Sequence, residues 1–371
     1  MVTASWRDRW VAWRNRRLAD PRFQRLAADF PLTRGIARRR ALGLFDVVSG
    51  FVYSQTLAAC LRLDLPAALA NGPRTAGDLA LSWEMPTESA RRLLGAAAAL
   101  DLAEPAGPDR WALGAQGAVL GGDPGLRAMI LHHRTLYDDL ADPVAMLRRG
   151  GGGALAAFWP YAAGGGPAET SPEAARAYSA LMAATQPTLA SDVLDAYPVD
   201  RHRRLLDVGG GEGAFLQAVA ARAPRLGLML VDLPPVVAVA RARFDGLGLG
   251  DRLETTGADF LSAPLPSGAD LITLVRVLHD QDDAGAARLL RAARQALPAD
   301  GALLIAEPMS DAPRADRVAD VYFAFYLLAM GRGRARTPAQ ITSLLRDAGF
   351  GRVRALRTRS PHLLRVLLAR P

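Results

Sequence analysis

From Arg203 onward the chain alternates short apolar runs with helix-compatible stretches: RLLDV, LGLMLVD, DRLETTGADF, ADLITLVRVL and GALLIAEP. No other feature of the 371 residues constrains the fold as strongly. Apolar runs without polar alternation suit strands buried on both faces. Such strands, separated by helical segments, build a parallel sheet with helices on both sides. The first run leads straight into Gly209, Gly210, Gly211, Glu212 and Gly213, and the helix-like AFLQAVAARA follows. Glycines at a strand-to-helix turn let the backbone bend tightly and approach a ligand with no side chain in between.

A glycine turn alone is equally compatible with a dinucleotide enzyme. Three features separate the readings. The pattern is D-x-G-G-G-x-G and not the wider G-x-G-x-x-G. Asp232 closes the second run, 25 residues after Asp207, where a carboxylate can hold two ribose hydroxyls. Asp259 and Phe260 close the third, suited to an adenine amino group and a ring stack. Acids at successive strand ends describe a nucleoside pocket without a pyrophosphate. S-adenosylmethionine fits that description, because it has ribose, adenine and a zwitterion but no phosphate.

The fourth run ends in Arg276-Val277-Leu278-His279-Asp280-Gln281-Asp282-Asp283. Strand C-termini line the crevice of an open α/β sheet, so His279 is expected to face the ligand as a general base. Glu307 ends the fifth run and is expected to orient the imidazole. Asp282 and Asp283 are read as caps of the next helix. His132 and His133 are helical neighbours that point in different directions, so they are read as structural residues and not as a metal pair. The sequence has no HExxH, CxxC or acidic cluster, and no metal is expected. One cysteine, Cys60, excludes a disulfide framework and fits a reducing compartment.

Upstream of this core (201–371) the chain divides into a basic arm (1–40), a segment at 41–125 and a helical connector at 126–200. Residues 41–70 are apolar and helix-like until Gly72 and Pro73. Thr75 and Thr87 are read as N-caps of two further helices, and Arg110–Leu113 as a strand after a turn. Helix, helix and strand pair in that order resemble a winged helix. The connector carries glycine clusters at 150–153 and 164–166, read as loops and not as phosphate cradles, since no helix follows them.

The net charge of +8 is unevenly spread, and all 45 basic residues are arginine. Residues 1–40 hold eleven arginines against Asp8, Asp20 and Asp29, and 332–371 hold ten against Asp347, so the body between them is acidic. That distribution, without a basic-aromatic stripe through the body, argues against nucleic-acid binding. No apolar run of about 18 residues is found, so no membrane span is expected. The start, MVTASWRDRW, has no apolar signal core, which implies a cytoplasmic protein. Trp6, Trp10 and Trp13 share one helical face, with Arg7, Arg9, Arg14, Arg16 and Arg17 around the rest. That pattern allows either peripheral contact with an anionic membrane or packing on the protein itself.

LLDVGGGEGAF, LVDLP, GADF, RVLHDQDD and AEP, in this order, resemble the S-adenosylmethionine-dependent O-methyltransferases of the plant and bacterial small-molecule family. The resemblance covers nearly the whole chain. It implies a Rossmann-like class I methyltransferase core behind an N-terminal, mostly helical winged-helix dimerisation domain, and hence a homodimer. It implies that Gly209, Gly211 and Gly213 cradle the methionine end, Asp232 the ribose, and Asp259 and Phe260 the adenine. Arg276 stands where the family usually has lysine, near the cofactor. His279 matches the base and Glu307 the carboxylate that orients it. The family often has a second glutamate before the C-terminal Arg-Thr. Here Ala335 stands in that place, which disfavours a phenolic pocket with two orienting carboxylates. LFDVVSGFVYSQ, FPLTRGIARRRA, LHHRTLYDDLADP and YFAFYLLAMGRGRAR resemble a branch that methylates the tertiary 1-hydroxyl of acyclic carotenoids, implying a hydrophobic small-molecule substrate. A phenolic polyketide or quinone remains the alternative substrate class, and an RNA methyltransferase or nucleic-acid binder the alternative of a different kind.

Overall fold

Ser5 and Asp8 start the first helix, Trp6–Ala19, with a capping box: the serine hydroxyl accepts from the Asp8 amide and the carboxylate accepts from the Ser5 amide. The computed structural model describes residues 5–158, 172–311, 318–361 and 363–371, without the side chains of 158, 172–180, 318 and 319. The glycine cluster at 164–166 lies outside the described residues. The chain divides into two units, Met1–Gly122 and Asp123–Pro371.

In the first unit, the helices Trp6–Ala19 and Pro21–Asp29 contain no buried residue. The next helix, Arg34–Arg62, buries Ala58, Cys60 and Leu61 near its C-terminal end. Most of it is exposed, including Leu44, Phe45, Val47, Val48 and Phe51. An 18-residue window of this helix has mean hydropathy 1.4 with 17% of it buried, so by length and composition it could cross a membrane. This corrects the expectation that no segment reaches that threshold. Asp46, Ser49 and Ser54 interrupt the apolar run without lowering its average enough. Thr75 caps the helix Ala76–Ser82 in a capping box with Asp78, as its sequence suggests. Thr87 does not cap; it is the first residue of Thr87–Ala99, behind an extended Pro86. Strands β1 (Arg74–Thr75), β2 (Ala103–Pro105) and β3 (Arg110–Leu113) form an antiparallel sheet in the order β1-β3-β2.

The second unit is built on a seven-stranded sheet. Its strands are β4 (Arg204–Val208), β5 (Gly227–Asp232), β6 (Leu253–Gly257), β7 (Leu271–Val275), β8 (Ala302–Glu307), β9 (Arg352–Leu356) and β10 (Arg365–Arg370), in the order β6-β5-β4-β7-β8-β10-β9. Strands β4 to β8 pair in parallel, while β10 runs antiparallel to both β8 and β9. The sheet is therefore mixed, where the apolar runs alone suggest a parallel one. In the second run of arginines, RVLLAR is an inner strand and RVRAL an edge whose Arg352 and Arg354 stay exposed, which blunts further pairing.

Successive residues on each strand point to opposite faces. Leu205, Leu228, Leu230 and Leu271 pack with Phe215, Val219 and Phe244 on one side. Leu206, Met229, Val231 and Ile272 pack with Leu289, Leu290, Ile341 and Leu345 on the other. Chain direction across the sheet reverses its order between β4 and β7. Their C-terminal ends lie side by side, where open α/β sheets hold their ligands.

Candidate active site

The turn after β4 has positive φ at Gly209 (69°), Gly211 (59°) and Gly213 (77°), a conformation that side-chain-bearing residues rarely adopt. At Gly210 the restriction is steric, since a Cβ there would collide with the Asp207 carboxylate. A Cβ at Gly209 would lie 2.9 Å from Val277 and 3.3 Å from Phe260, so the turn, the end of β7 and the Phe260 ring converge on one point. Around Gly211 there is open space.

Asp232 is buried at the end of β5 and accepts from the amides of Gly211 (2.8 Å) and Leu233 (2.7 Å), one on each oxygen. Each oxygen keeps a lone pair. Burial pushes its pKa up, and the two amides oppose that rise. Asp207 sits beneath the turn. One of its oxygens accepts from the Thr273 hydroxyl at 2.6 Å, and the other, Oδ2, is buried without a hydrogen-bond partner. Burial and the neighbouring Asp232 push Asp207 up to about 7, against the Thr273 bond. An unpaired carboxylate oxygen beneath a glycine turn is a place for a cationic group, and Asp232 can still accept from hydroxyls. Those features fit the ammonium and ribose of S-adenosylmethionine.

Asp259 lies two residues beyond the end of β6 and is exposed, with its carboxylate accepting from the Leu261 amide (2.9 Å) and the Ser262 hydroxyl (3.0 Å). Arg276 carries a positive φ of 59°, a strained conformation for arginine that is common at functional sites. Its guanidinium donates to Thr185 Oγ1 (3.1 Å) and approaches Met182 Sδ (3.2 Å), both on the long helix Pro172–Ala196.

His279 follows β7 and is buried. Glu307, buried at the end of β8, holds it from below: Oε1 accepts from the amides of Val277 (2.9 Å) and Leu278 (2.6 Å), and Oε2 from His279 Nδ1. A carboxylate only accepts, so in the neutral imidazole the proton sits on Nδ1 and Nε2 keeps its lone pair. Asp280 brings its Oδ1 to 3.1 Å from Nε2, without hydrogen-bond alignment. Burial pushes the His279 pKa down, but the Asp280 and Glu307 carboxylates outweigh it and the net shift is upward.

Sequence reasoning missed the clamp on this loop. Arg336 is almost wholly buried, and its guanidinium donates to the carbonyls of Leu278 (2.9 Å) and Gln281 (2.8 Å) and to Asp283 (2.8 Å). The Arg334 amide donates to the His279 carbonyl at 2.8 Å. A Cβ on Gly333 would collide with that carbonyl. Asp282 does cap the helix Asp283–Ala296, whereas Asp283 pairs with Arg334 and Arg336. Ala335, in place of a second glutamate, packs against the cluster around Tyr326 and Leu327.

The helix Val318–Met330 faces this loop. The Phe323 ring stands edge-on to His279, with centroids 6.4 Å apart. Tyr322 stacks on Tyr326 and meets Phe323 at right angles. The two histidines of the helix Pro124–Asp139 end on these tyrosines, with His132 Nε2 at 3.2 Å from the Tyr326 hydroxyl and His133 Nε2 at 2.7 Å from that of Tyr322. No group of three or more metal-ligating side chains occurs among the described residues.

A glycine turn between β4 and the following helix, beside a carboxylate-held histidine at the end of β7, sits on the class I methyltransferase fold. Residues 137–351 match the O-methyltransferase domain family, and the chain belongs to that family as an S-adenosylmethionine-dependent O-methyltransferase. It is 43% identical to the demethylspheroidene O-methyltransferase of Cereibacter sphaeroides, over 94% of this chain and 92% of that protein. It is 42% identical to the enzyme of the same description from Rhodobacter capsulatus, over 94% and 85%. Among solved structures, the S-adenosylmethionine-dependent methyltransferase SibL matches with a TM-score of 0.74 at 26% identity, covering 88% of this chain and 98% of that one.

Proposed function

We propose that the enzyme methylates the tertiary hydroxyl of an acyclic hydroxycarotenoid, with His279 as general base. The observation that carries the base assignment is the Glu307–His279 pair, which fixes the imidazole with Nε2 unprotonated at a strand end beside the glycine turn. The relatives named above support the substrate class, as does the aromatic wall of Tyr322, Phe323 and Tyr326 next to the imidazole.

Bound S-adenosylmethionine supplies a methyl group activated by its sulfonium. In this reading Asp207 faces the cofactor's ammonium, Gly209, Gly211 and Gly213 make room for its methionine end, and Asp232 accepts from the ribose hydroxyls. Phe260 offers a ring to the adenine and Asp259 a carboxylate to its amino group, while Arg276 borders the site. A tertiary alcohol is no more acidic than water, which puts its pKa at least about 9 units above an ordinary histidine. Full deprotonation before transfer would cost about 12 kcal/mol. His279 therefore takes the proton as the oxygen attacks, and its raised pKa narrows the mismatch. Holding the acceptor oxygen in line with a bound methyl donor would contribute up to ~7–11 kcal/mol, and general-base assistance by His279 ~10²–10⁴-fold. The carbinol proton ends on Nε2, where the Asp280 and Glu307 carboxylates stabilise the imidazolium.

The same reading makes the protein a homodimer through the winged-helix-like first unit, because the exposed apolar face of Arg34–Arg62 is large for a monomer. It also places the N-terminal helix on an anionic membrane surface. Trp6, Trp10 and Trp13 are exposed there, and Arg14 and Arg17 lie over Trp10 and Trp13 at 5.1 and 6.0 Å. A cytoplasmic enzyme with such peripheral contact would meet a water-insoluble substrate at the bilayer.

The test is incubation of the purified enzyme with methyl-labelled S-adenosylmethionine and detergent-dispersed 1-hydroxy acyclic carotenoid, in parallel with a panel of phenols. Label in the carotenoid ether supports the proposal. Label in a phenol alone would replace the substrate class while leaving the base assignment standing.

A further inference from the structure

The two histidines at 132 and 133 are absorbed neither by the cofactor turn nor by the base. Adjacent helical positions point about 100° apart, yet both imidazoles reach the same helix, Val318–Met330, because its tyrosines are spaced one turn apart. His132 meets Tyr326 and His133 meets Tyr322, and the two phenol rings stack with centroids 5.3 Å apart. Tyr322 contacts Phe323, which in turn stands against His279. The lattice thus forms part of the wall beside the base.

Two tyrosines are an unexpected choice for a wall that is to receive a hydrocarbon chain. A phenol hydroxyl facing an apolar ligand would lose hydrogen bonds to water and gain none. Here each hydroxyl has a partner on the side of the helix Pro124–Asp139, so the rings can present carbon to the site. Burial holds both imidazoles in the neutral form, pushing His132 down to about 4 with help from His133. A neutral imidazole can take the phenolic hydrogen without bringing a charge to the wall.

We propose that His132 and His133 determine acceptor specificity by tying back the Tyr326 and Tyr322 hydroxyls, so that the wall beside His279 selects an apolar chain over a hydrogen-bonding ring. This rests on the hydroxycarotenoid reading above. The histidines touch neither the reacting oxygen nor the methyl group; they act through the tyrosines.

The experiment is a cycle at one pair. His133→Leu removes the imidazole partner of the Tyr322 hydroxyl and leaves it the weak sulfur contact of Met129 Sδ at 3.9 Å, Tyr322→Phe removes the hydroxyl, and the double variant removes both. Steady-state kinetics are measured with a 1-hydroxy acyclic carotenoid in detergent and with a simple phenol, with S-adenosylmethionine affinity and thermal unfolding read in parallel. His133→Leu should raise KM for the carotenoid about tenfold with kcat and cofactor affinity little changed, the effect of a hydroxyl that has exchanged an imidazole for a weak sulfur acceptor. Its ratio of carotenoid to phenol kcat/KM should fall correspondingly. The double variant should return KM to within about twofold of wild type, a rescue that a loss of packing would not show. An unchanged KM in His133→Leu, or no rescue by Tyr322→Phe, overturns the proposal. If His133→Leu does not fold, His133→Ala takes its place in the cycle, and the proposal requires the same rise in carotenoid KM and the same rescue by Tyr322→Phe; either one missing overturns it. Wild-type failure on the carotenoid with turnover of the phenol overturns the substrate reading and this inference together. Wild-type turnover with a null cycle overturns the inference alone.

Discussion

The loop at 276–283 and the helix Arg34–Arg62 treat their surroundings in opposite ways. The loop is held from three sides within its own unit: Glu307 takes two of its amides and the imidazole, Arg336 takes two of its carbonyls, and Arg334 takes a third. The helix is apolar along much of its length and leaves Phe45, Val47, Val48 and Phe51 exposed. One region is over-determined by its own chain, which is what the proposed base requires. The other leaves apolar surface exposed, which in the proposed reading serves assembly and not chemistry. Damage to the first should appear as lost turnover or lost stability. Damage to the second should leave a folded, active-site-competent chain in a different state of association.

The sharpest break in that comparison is His279→Ala. Turnover should fall ~10²–10⁴-fold with S-adenosylmethionine affinity preserved, as measured by single-turnover kinetics and calorimetry. Equal loss of cofactor affinity would make His279 a structural residue. Next is Arg336→Leu. It strands the Leu278 and Gln281 carbonyls, while Asp283 keeps Arg334, and should destabilise the second unit by about 2–5 kcal/mol in denaturant unfolding. A change below about 1 kcal/mol would mean that the loop does not depend on the clamp. Asp232→Asn should weaken S-adenosylmethionine by about 1.5–3 kcal/mol, because a neutral amide replaces the carboxylate facing the ribose. Unchanged affinity by calorimetry would move the ribose elsewhere. The smallest structural effect belongs to the exposed helix. Val48→Asp with Phe51→Asp should turn a dimer into a monomer by light scattering without shifting the thermal transition of the monomer. An unaltered dimer would locate the interface on another surface.

Much of the second unit was legible because its signals are local. Five apolar runs, a glycine turn and acids at strand ends are contiguous in sequence, and β4 to β8 form where those runs lie. Strands β9 and β10 were not legible, since RVRAL and RVLLAR sit in a stretch whose most evident property is its arginines. Arg336 was missed for the same reason: a buried, fully bonded guanidinium looks in sequence like any surface charge. Its environment is made by Leu278, Gln281 and Asp283, more than fifty residues earlier. Asp280 facing Nε2 and the Asp207 oxygen without a partner are likewise products of packing. His132 and His133 were read as structural, and their reach to two tyrosines one turn apart depends on how two distant helices meet. Trp6, Trp10 and Trp13 were legible as a face, and the structure leaves that face exposed.

The proposed catalysis needs a neutral His279 whose proton affinity is raised by the carboxylates around it, and the pH dependence of kcat/KM reads that directly. A base must be unprotonated to act, so activity should rise with pH through an apparent pKa above the ordinary histidine value of about 6.5. Glu307→Gln keeps an oxygen for the Val277 and Leu278 amides but removes the charge and presents an amide donor to Nδ1. The plateau should drop ~10²-fold or more, and the acidic limb of the remaining activity should move to lower pH. The same profile in wild type and Glu307→Gln, with an unmoved acidic limb and a plateau within a few-fold, would contradict the assignment of His279 and Glu307 as the catalytic pair.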